Sequence, residues 1–225
     1  MLRWIGNALA SSIGRKAVMA VTGLGLVGFL VEHLYGNLKL IPFFGETTGG
    51  GSFTEYREHL HDWGWLLKVA EVGLFALFLC HIFLALRLTL DNMAARKQRY
   101  VVRSDRGAKT FGSASMFYTG ALILGFLIFH LLDFRFNAEY QEAPEATVAA
   151  ELSEPGHAVV YILVALAIGA HLSHGFRSAF HTLGVNHPRW NPLLKYAGWG
   201  LSALLTVGFA AIPTYFLFFA TGGGH

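Results

Sequence analysis

Polar residues leave five long gaps in this chain, filled mainly by Leu, Ile, Val, Phe, Ala and Gly: residues 17–41, 65–90, 111–134, 157–176 and 196–220. A helix needs about 20 mostly apolar residues to cross a bilayer, and each gap is long enough. The third carries Asp133 as its only charge, and the fourth and fifth carry none. The pattern predicts an all-α integral membrane bundle of five transmembrane helices forming a single domain. The first segment begins beyond Arg3, Arg15 and Lys16, and no small-residue cleavage site follows a short apolar core. It therefore reads as a retained helix and not a signal peptide. Pro213 is expected to kink the last helix.

Composition agrees. Mean hydropathy is +0.46, and charged residues make up 14% of the 225, against roughly 25% in soluble domains. The single cysteine, Cys80, lies mid-segment. No intrachain disulfide, cysteine-ligated zinc site or iron–sulphur cluster can be built from this chain alone. No C-x-x-C-H run occurs, which argues against covalently attached haem. A net charge of only +3 gives no indication of nucleic-acid binding.

The charges are distributed unevenly. Threading the chain through five spans puts Arg3, Arg15, Lys16, Arg87, Arg96, Lys97, Arg99, Arg103, Arg106, Lys109, Arg177, Arg189 and Lys195 on one side. Lys39, Arg57, Lys68 and Arg135 remain for the other, where Glu139, Glu142, Glu145, Glu151 and Glu154 crowd one loop. Basic loops stay inside, so the N-terminus is expected inside and the C-terminus outside.

Within the apolar spans stand four histidines. An imidazole there costs free energy unless its nitrogens find partners. Helices rise about 1.5 Å per residue, which puts His33 and His130 roughly 26 and 31 Å from the inner edge, and His81 and His171 roughly 9 Å from it. Four helices thus carry four histidines at two depths, two per level. Two imidazoles facing each other across a bundle suit the axial sites of haem b. His33 with His130 would hold an outer haem iron, and His81 with His171 an inner one. With both axial sites filled, such haems carry electrons and do not activate oxygen. Three other readings stand beside this one: histidines that bond neighbouring helices, a proton-translocating histidine chain, and a metal transporter. The last two usually recruit intramembrane acids, and none lies near His81 or His171. His174, one turn beyond His171, competes with it, and spacing alone does not choose. Gly23, Gly25 and Gly28 in TGLGLVG would admit a haem face or simply a neighbouring helix.

FLVEHLYGN around His33, CHIFLALRL around His81, IFHLLDFR around His130 and HLSHGFRSAFHTLG around His171 resemble the dihaem cytochrome b anchor of succinate dehydrogenases and fumarate reductases. The likeness runs from SSIGRK through the fifth segment. It implies a membrane anchor on the cytoplasmic membrane with two haem b groups. Its partners would be an FAD-containing flavoprotein and an iron–sulphur subunit on the inner face, in a complex that can form higher oligomers. Electrons from succinate would pass to the inner haem, the outer haem and then quinone, for which the resemblance implies menaquinone. The family's H-x-S-x-G-like run matches His171, Ser173 and Gly175, favouring His171 over His174. Some fumarate reductases of this type carry a glutamate two residues before the last haem histidine; here Gly169 stands there, so that proton-transfer role does not carry over. The alternatives are an anchor for a hydrogenase or formate dehydrogenase, or a non-redox transporter.

Arg87 and Arg177 each follow an inner histidine by six residues. They are candidates for pairing haem propionates, with plain positive-inside anchoring as the alternative. Quinone chemistry needs an apolar slot, hydrogen-bond partners and a proton source. The loop TEYREHLHDWGW offers Glu58, His61, Asp62 and Trp63 at the outer level, with a competing inner location near Trp4, Ser12 and Arg15.

Overall fold

The computed structural model describes residues 11–47, 52–95 and 111–220. All its regular elements are helical, with no strand among the described residues. Five long helices carry the apolar segments: α1 (Ser12–Leu38), α4 (Trp65–Ala95), α5 (Phe111–His130), α8 (Pro155–Thr182) and α9 (Asn191–Phe218). Four short helices, α2 (Pro42–Thr47), α3 (Phe53–His61), α6 (Ala138–Glu142) and α7 (Pro144–Ser153), gather between them. All five long helices are long and apolar enough to cross a membrane, which makes this a multi-pass membrane protein.

Their ends depart from the apolar limits for local reasons. Helix α1 starts at Ser12 because the Ser11 side chain accepts from the Gly14 N–H at 3.0 Å, the usual N-cap arrangement. Helix α4 continues past residue 90 because Asp91 is tied down: Arg15 reaches it at 2.7 Å and Arg87, one turn earlier, at 3.5 Å. Helix α5 gives way at His130 to a π-helical turn, Leu131–Arg135. Helix α8 begins at Pro155, capped by Glu154, whose carboxylate accepts from the His157 N–H at 2.7 Å. Helix α9 runs through Pro213, which is fully buried. The stretch TEYREHLHDWGW, expected to be a loop, is mostly α3. Ser52 and Glu55 bond each other's backbone N–H in a capping box, a pairing that stabilises an N-terminus twice over.

The long helices pack unequally. Helix α8 lies along α9 over most of its length and also against α5 and α1, while α4 leans chiefly on α1 and α5 chiefly on α8. The core follows this: Leu34, Val164, Ile168, Leu172, Leu205, Ile212 and Phe216 are buried together. By contrast α4 keeps Phe75, Leu79 and Phe83 exposed, and α5 keeps Phe117, Leu122 and Ile128 exposed, as suits surfaces that meet hydrocarbon. Helices α1 and α5 do not pack closely on one another, nor do α4 and α8. Those are the two pairs that carry the matched histidines.

Candidate cofactor site between the helices

The outer-level histidines meet. The rings of His33 and His130 lie 5.7 Å apart between centroids, with planes crossing at 90°. Two imidazoles bonded at about 2.0–2.1 Å on opposite sides of one first-row metal would place their centroids roughly 6.4 Å apart, so a shared iron would require these rings to part by about 0.7 Å. Each ring is steadied by the phenylalanine one turn earlier on its own helix, Phe29 stacking on His33 at 5.2 Å and Phe126 on His130 at 5.6 Å. His130 Nδ1 lies 3.3 Å from the Tyr161 hydroxyl. That hydroxyl donates to Asp133 Oδ2 at 3.0 Å, so its oxygen accepts from His130 Nδ1–H. The tautomer that follows leaves the Nε2 lone pair free. His33 has a less directional setting: the Asn37 amide lies 3.4 Å from both ring nitrogens while donating to the His33 carbonyl at 2.7 Å.

At the inner level the same logic appears twice. His81 Nδ1 lies 3.2 Å from Thr22 Oγ1, and that hydroxyl donates to the Met19 carbonyl at 3.0 Å. His171 Nδ1 lies 3.1 Å from Thr119 Oγ1, and that hydroxyl donates to the Ser115 and Met116 carbonyls at 2.9 and 3.2 Å. Each threonine oxygen, its own proton committed, accepts from an Nδ1–H. A side chain that binds a metal through one ring nitrogen commonly donates through the other in this way. Each ring also lies beside the glycine that follows its threonine: a Cβ on Gly23 would stand 3.2 Å from His81 Cε1, and one on Gly120 3.5 Å from His171 Cε1. Of the other glycines in TGLGLVG, Gly25 faces Leu77 of α4, and Gly28 has nothing within 4 Å of where its Cβ would be. Gly125 of α5 is equally open.

His171 faces α5 through Thr119, whereas His174 lines a separate groove of about 260 Å³ with Arg177, Ser178, His181 and Thr182. Arg177 therefore shares its surroundings with His174 and His181. Arg87 is engaged with Asp91. Gly169 belongs to the α8–α9 seam: the Ser202 hydroxyl donates to its carbonyl, and a Cβ there would collide with Thr206 Oγ1. A glutamate at this position has no space to occupy.

The outer-loop residues divide. Glu58, His61, Asp62 and Trp63 are all exposed. Only His61 lines the groove of about 410 Å³ formed with Gly64, Trp65, Leu67, Lys68, Glu71 and Arg135, in which Arg135 pairs with Glu71 at 3.3 Å. Helix α3 itself is anchored elsewhere. Thr54 bonds Glu145 through its backbone at 2.9 Å and its hydroxyl at 2.6 Å. The Tyr56 hydroxyl donates to Glu32 at 2.8 Å, and burial and that carboxylate together push its pKa up. At the location that competes for the quinone, Ser12 opens α1 and Arg15 holds Asp91, while Trp4 falls outside the described residues.

Reading the chain for histidines passed over their partners: Thr22, Thr119, Phe29, Phe126 and Tyr161. One signal would have found most of them. TGLGLVGFLVEH (22–33) and TGALILGFLIFH (119–130) share Thr, Gly, Gly, Phe, Leu and His at the same places, and Met19 and Met116 precede both at one spacing. Tyr161 leaves no such trace. It joins His130 to Asp133, whose carboxylate, with those of Glu151 and the ring of His157, offers ligand atoms all within 4.8 Å of one another. His157 is held by Glu151 at 3.3 Å and Glu154 at 3.0 Å.

No family model, curated protein or solved structure matches this chain.

Proposed function

We propose that this chain is the membrane anchor and electron-transfer subunit of a succinate:quinone oxidoreductase, holding one haem b between His33 and His130 and a second between His81 and His171. The observation that carries the reading is the state of the ring nitrogens. His81, His130 and His171 each have Nδ1 committed to a hydroxyl that is itself already donating, leaving Nε2 as the free ligand atom. The proximity of His33 and His130 supports it, as does the looseness of packing between the helices of each pair. When bound, such a group would supply a one-electron carrier.

The remaining roles belong to the chain's own residues. The end bearing Arg15, Arg87, Arg177 and Lys195 faces the inside, where an FAD-containing flavoprotein and an iron–sulphur subunit dock. The opposite end faces outward, across the cytoplasmic membrane. There His61 and Lys68 offer donors to the oxygens of a quinone entering the groove beside Trp65. Phe29 and Phe126 fix the outer imidazoles by stacking and shield them from water.

The test is haem content in the purified full chain. Two haem b groups per chain are expected by pyridine haemochrome. His81→Ala and His171→Ala should each lose the same one, and His33→Ala and His130→Ala the other. Flavoprotein and iron–sulphur subunits should co-purify. A haem-free chain, or two haems retained in all four variants, would refute the proposal.

A further inference from the structure

The shared run M-x2-TG-x4-GFL-x2-H places three side chains on one helix face, since steps of seven and four residues return to nearly the same direction. In α1 that face carries Thr22, Phe29 and His33; in α5 it carries Thr119, Phe126 and His130. Phenylalanine and histidine act within their own helix, one stacked on the other. Threonine acts across helices. Thr22 of α1 reaches His81 of α4, and Thr119 of α5 reaches His171 of α8. A mid-helix threonine needs no such partner, because its hydroxyl is satisfied by the carbonyl a turn earlier, as Thr89 and Thr214 are here. At Thr22 and Thr119 the same back-bond is present, and the histidine is added to it. The back-bond orients the hydroxyl so that only its lone pairs face the ring. Replacing that oxygen with a methyl group would take the hydroxyl acceptor from a half-buried Nδ1–H and leave it only the Met19 or Met116 carbonyl.

From this we infer that Thr22 and Thr119 are positioning residues that set the tautomer, ring orientation and basicity of His81 and His171, with Gly23 and Gly120 providing the space each ring occupies. The inference rests on the reading of these histidines as haem ligands. An Nδ1–H that donates to an oxygen makes Nε2 a stronger donor, and a stronger donor favours the more highly charged ferric state. Two equivalent hydroxyls acting on one iron should therefore contribute in the same direction and nearly additively.

The experiment is a redox titration of the full chain, purified with its partner subunits, carrying Thr22→Val, Thr119→Val, both together, or Thr→Ser at each position. Removing the hydrogen-bond partner of a metal-bound imidazole costs roughly ten- to a hundredfold in metal affinity. Taking the lower figure as the relative weakening of ferric over ferrous binding, each valine variant should raise the inner potential by about 59 mV, the tenfold equivalent for one electron. The double variant should move it further in the same direction, the serine variants should stay near wild type, and the outer potential should not move. If valine variants fail to assemble, the serine variants together with Thr→Ala carry the comparison. A haem-free wild-type chain would overturn the functional reading and this inference with it. A haem-loaded chain whose inner potential ignores both substitutions, or whose two potentials move together, would overturn this inference alone.

Discussion

Gly169→Ala is a direct test of the seam that holds the fourth histidine. The added Cβ would collide with Thr206 Oγ1, and it would stand 3.3 Å from Thr206 Cβ and 3.6 Å from Ser202 Oγ. Overpacking of a filled interface costs about 1–3 kcal/mol, and a direct collision with a β-branched neighbour belongs at the upper end. Replacing glycine by alanine inside a helix returns about 1 kcal/mol of backbone propensity. The net loss is therefore about 2 kcal/mol, a factor of roughly 30 in the folding equilibrium. Gly200 of the facing helix has open space where its Cβ would be, so Gly200→Ala should be neutral or stabilising. Thr206→Ala removes the obstacle, and Gly169→Ala combined with it should recover most of the loss, a coupling within the 0.5–3 kcal/mol typical of residues in contact. The measurement is loss of helical circular dichroism as the detergent-solubilised chain is titrated with dodecyl sulfate. Equal stability of Gly169→Ala and Gly200→Ala, or a double variant as weak as Gly169→Ala, would refute the seam as described.

Three further outcomes follow from the geometry. His61→Ala should slow succinate-to-quinone turnover more than Asp62→Asn does, because only His61 lines the groove beside Arg135; succinate-to-dye activity should be intact in both, and the reverse order would move the quinone elsewhere. Arg87→Gln should lower the inner midpoint potential by removing a nearby positive charge, and an unchanged titration would assign Arg87 to anchoring, through its pair with Asp91. Glu154 is held below its ordinary pKa by accepting from the His157 N–H, then the Gly156 N–H and the His157 ring. Since its folded pKa is depressed, its contribution to stability is full above the ordinary carboxylate pKa and disappears as pH falls through the depressed one. Melting temperature should drop across that acid window in wild type and less steeply in Glu154→Gln.

The spanning helices were legible because hydrocarbon demands unbroken apolar length, which hydropathy reads without knowing any contact. Their ends were not, because Ser11, Asp91 and Glu154 act through side-chain hydrogen bonds and ion pairs that no apolar window registers. Histidine levels could be counted along a helix from the basic edges. Whether two histidines on one level face each other depends on helix rotation and packing, and spacing alone does not separate His171 from His174, whereas the contact with Thr119 of a different helix does. The short outer helices were missed for a similar reason: α3 declares itself in a capping box of Ser52 and Glu55, a four-residue signal, and is anchored by Glu145 and Glu32 from distant parts of the chain.

The repeated run in α1 and α5 bears on how such a molecule can arise. Each half of the chain is a hairpin, α1 with α4 and α5 with α8, carrying one deep and one shallow histidine, and in both halves the returning helix has an arginine six residues past its histidine. Two identical hairpins related by a rotation about the membrane normal would bring deep to deep and shallow to shallow. Both pairs would be present in a symmetric dimer of such a half-length unit before any residue diverged. The two halves joined in one chain are free to differ, as they do here: Tyr161 stands beside His130 and Asn37 beside His33, and α1 packs on α8 without a matching contact of α5 on α4.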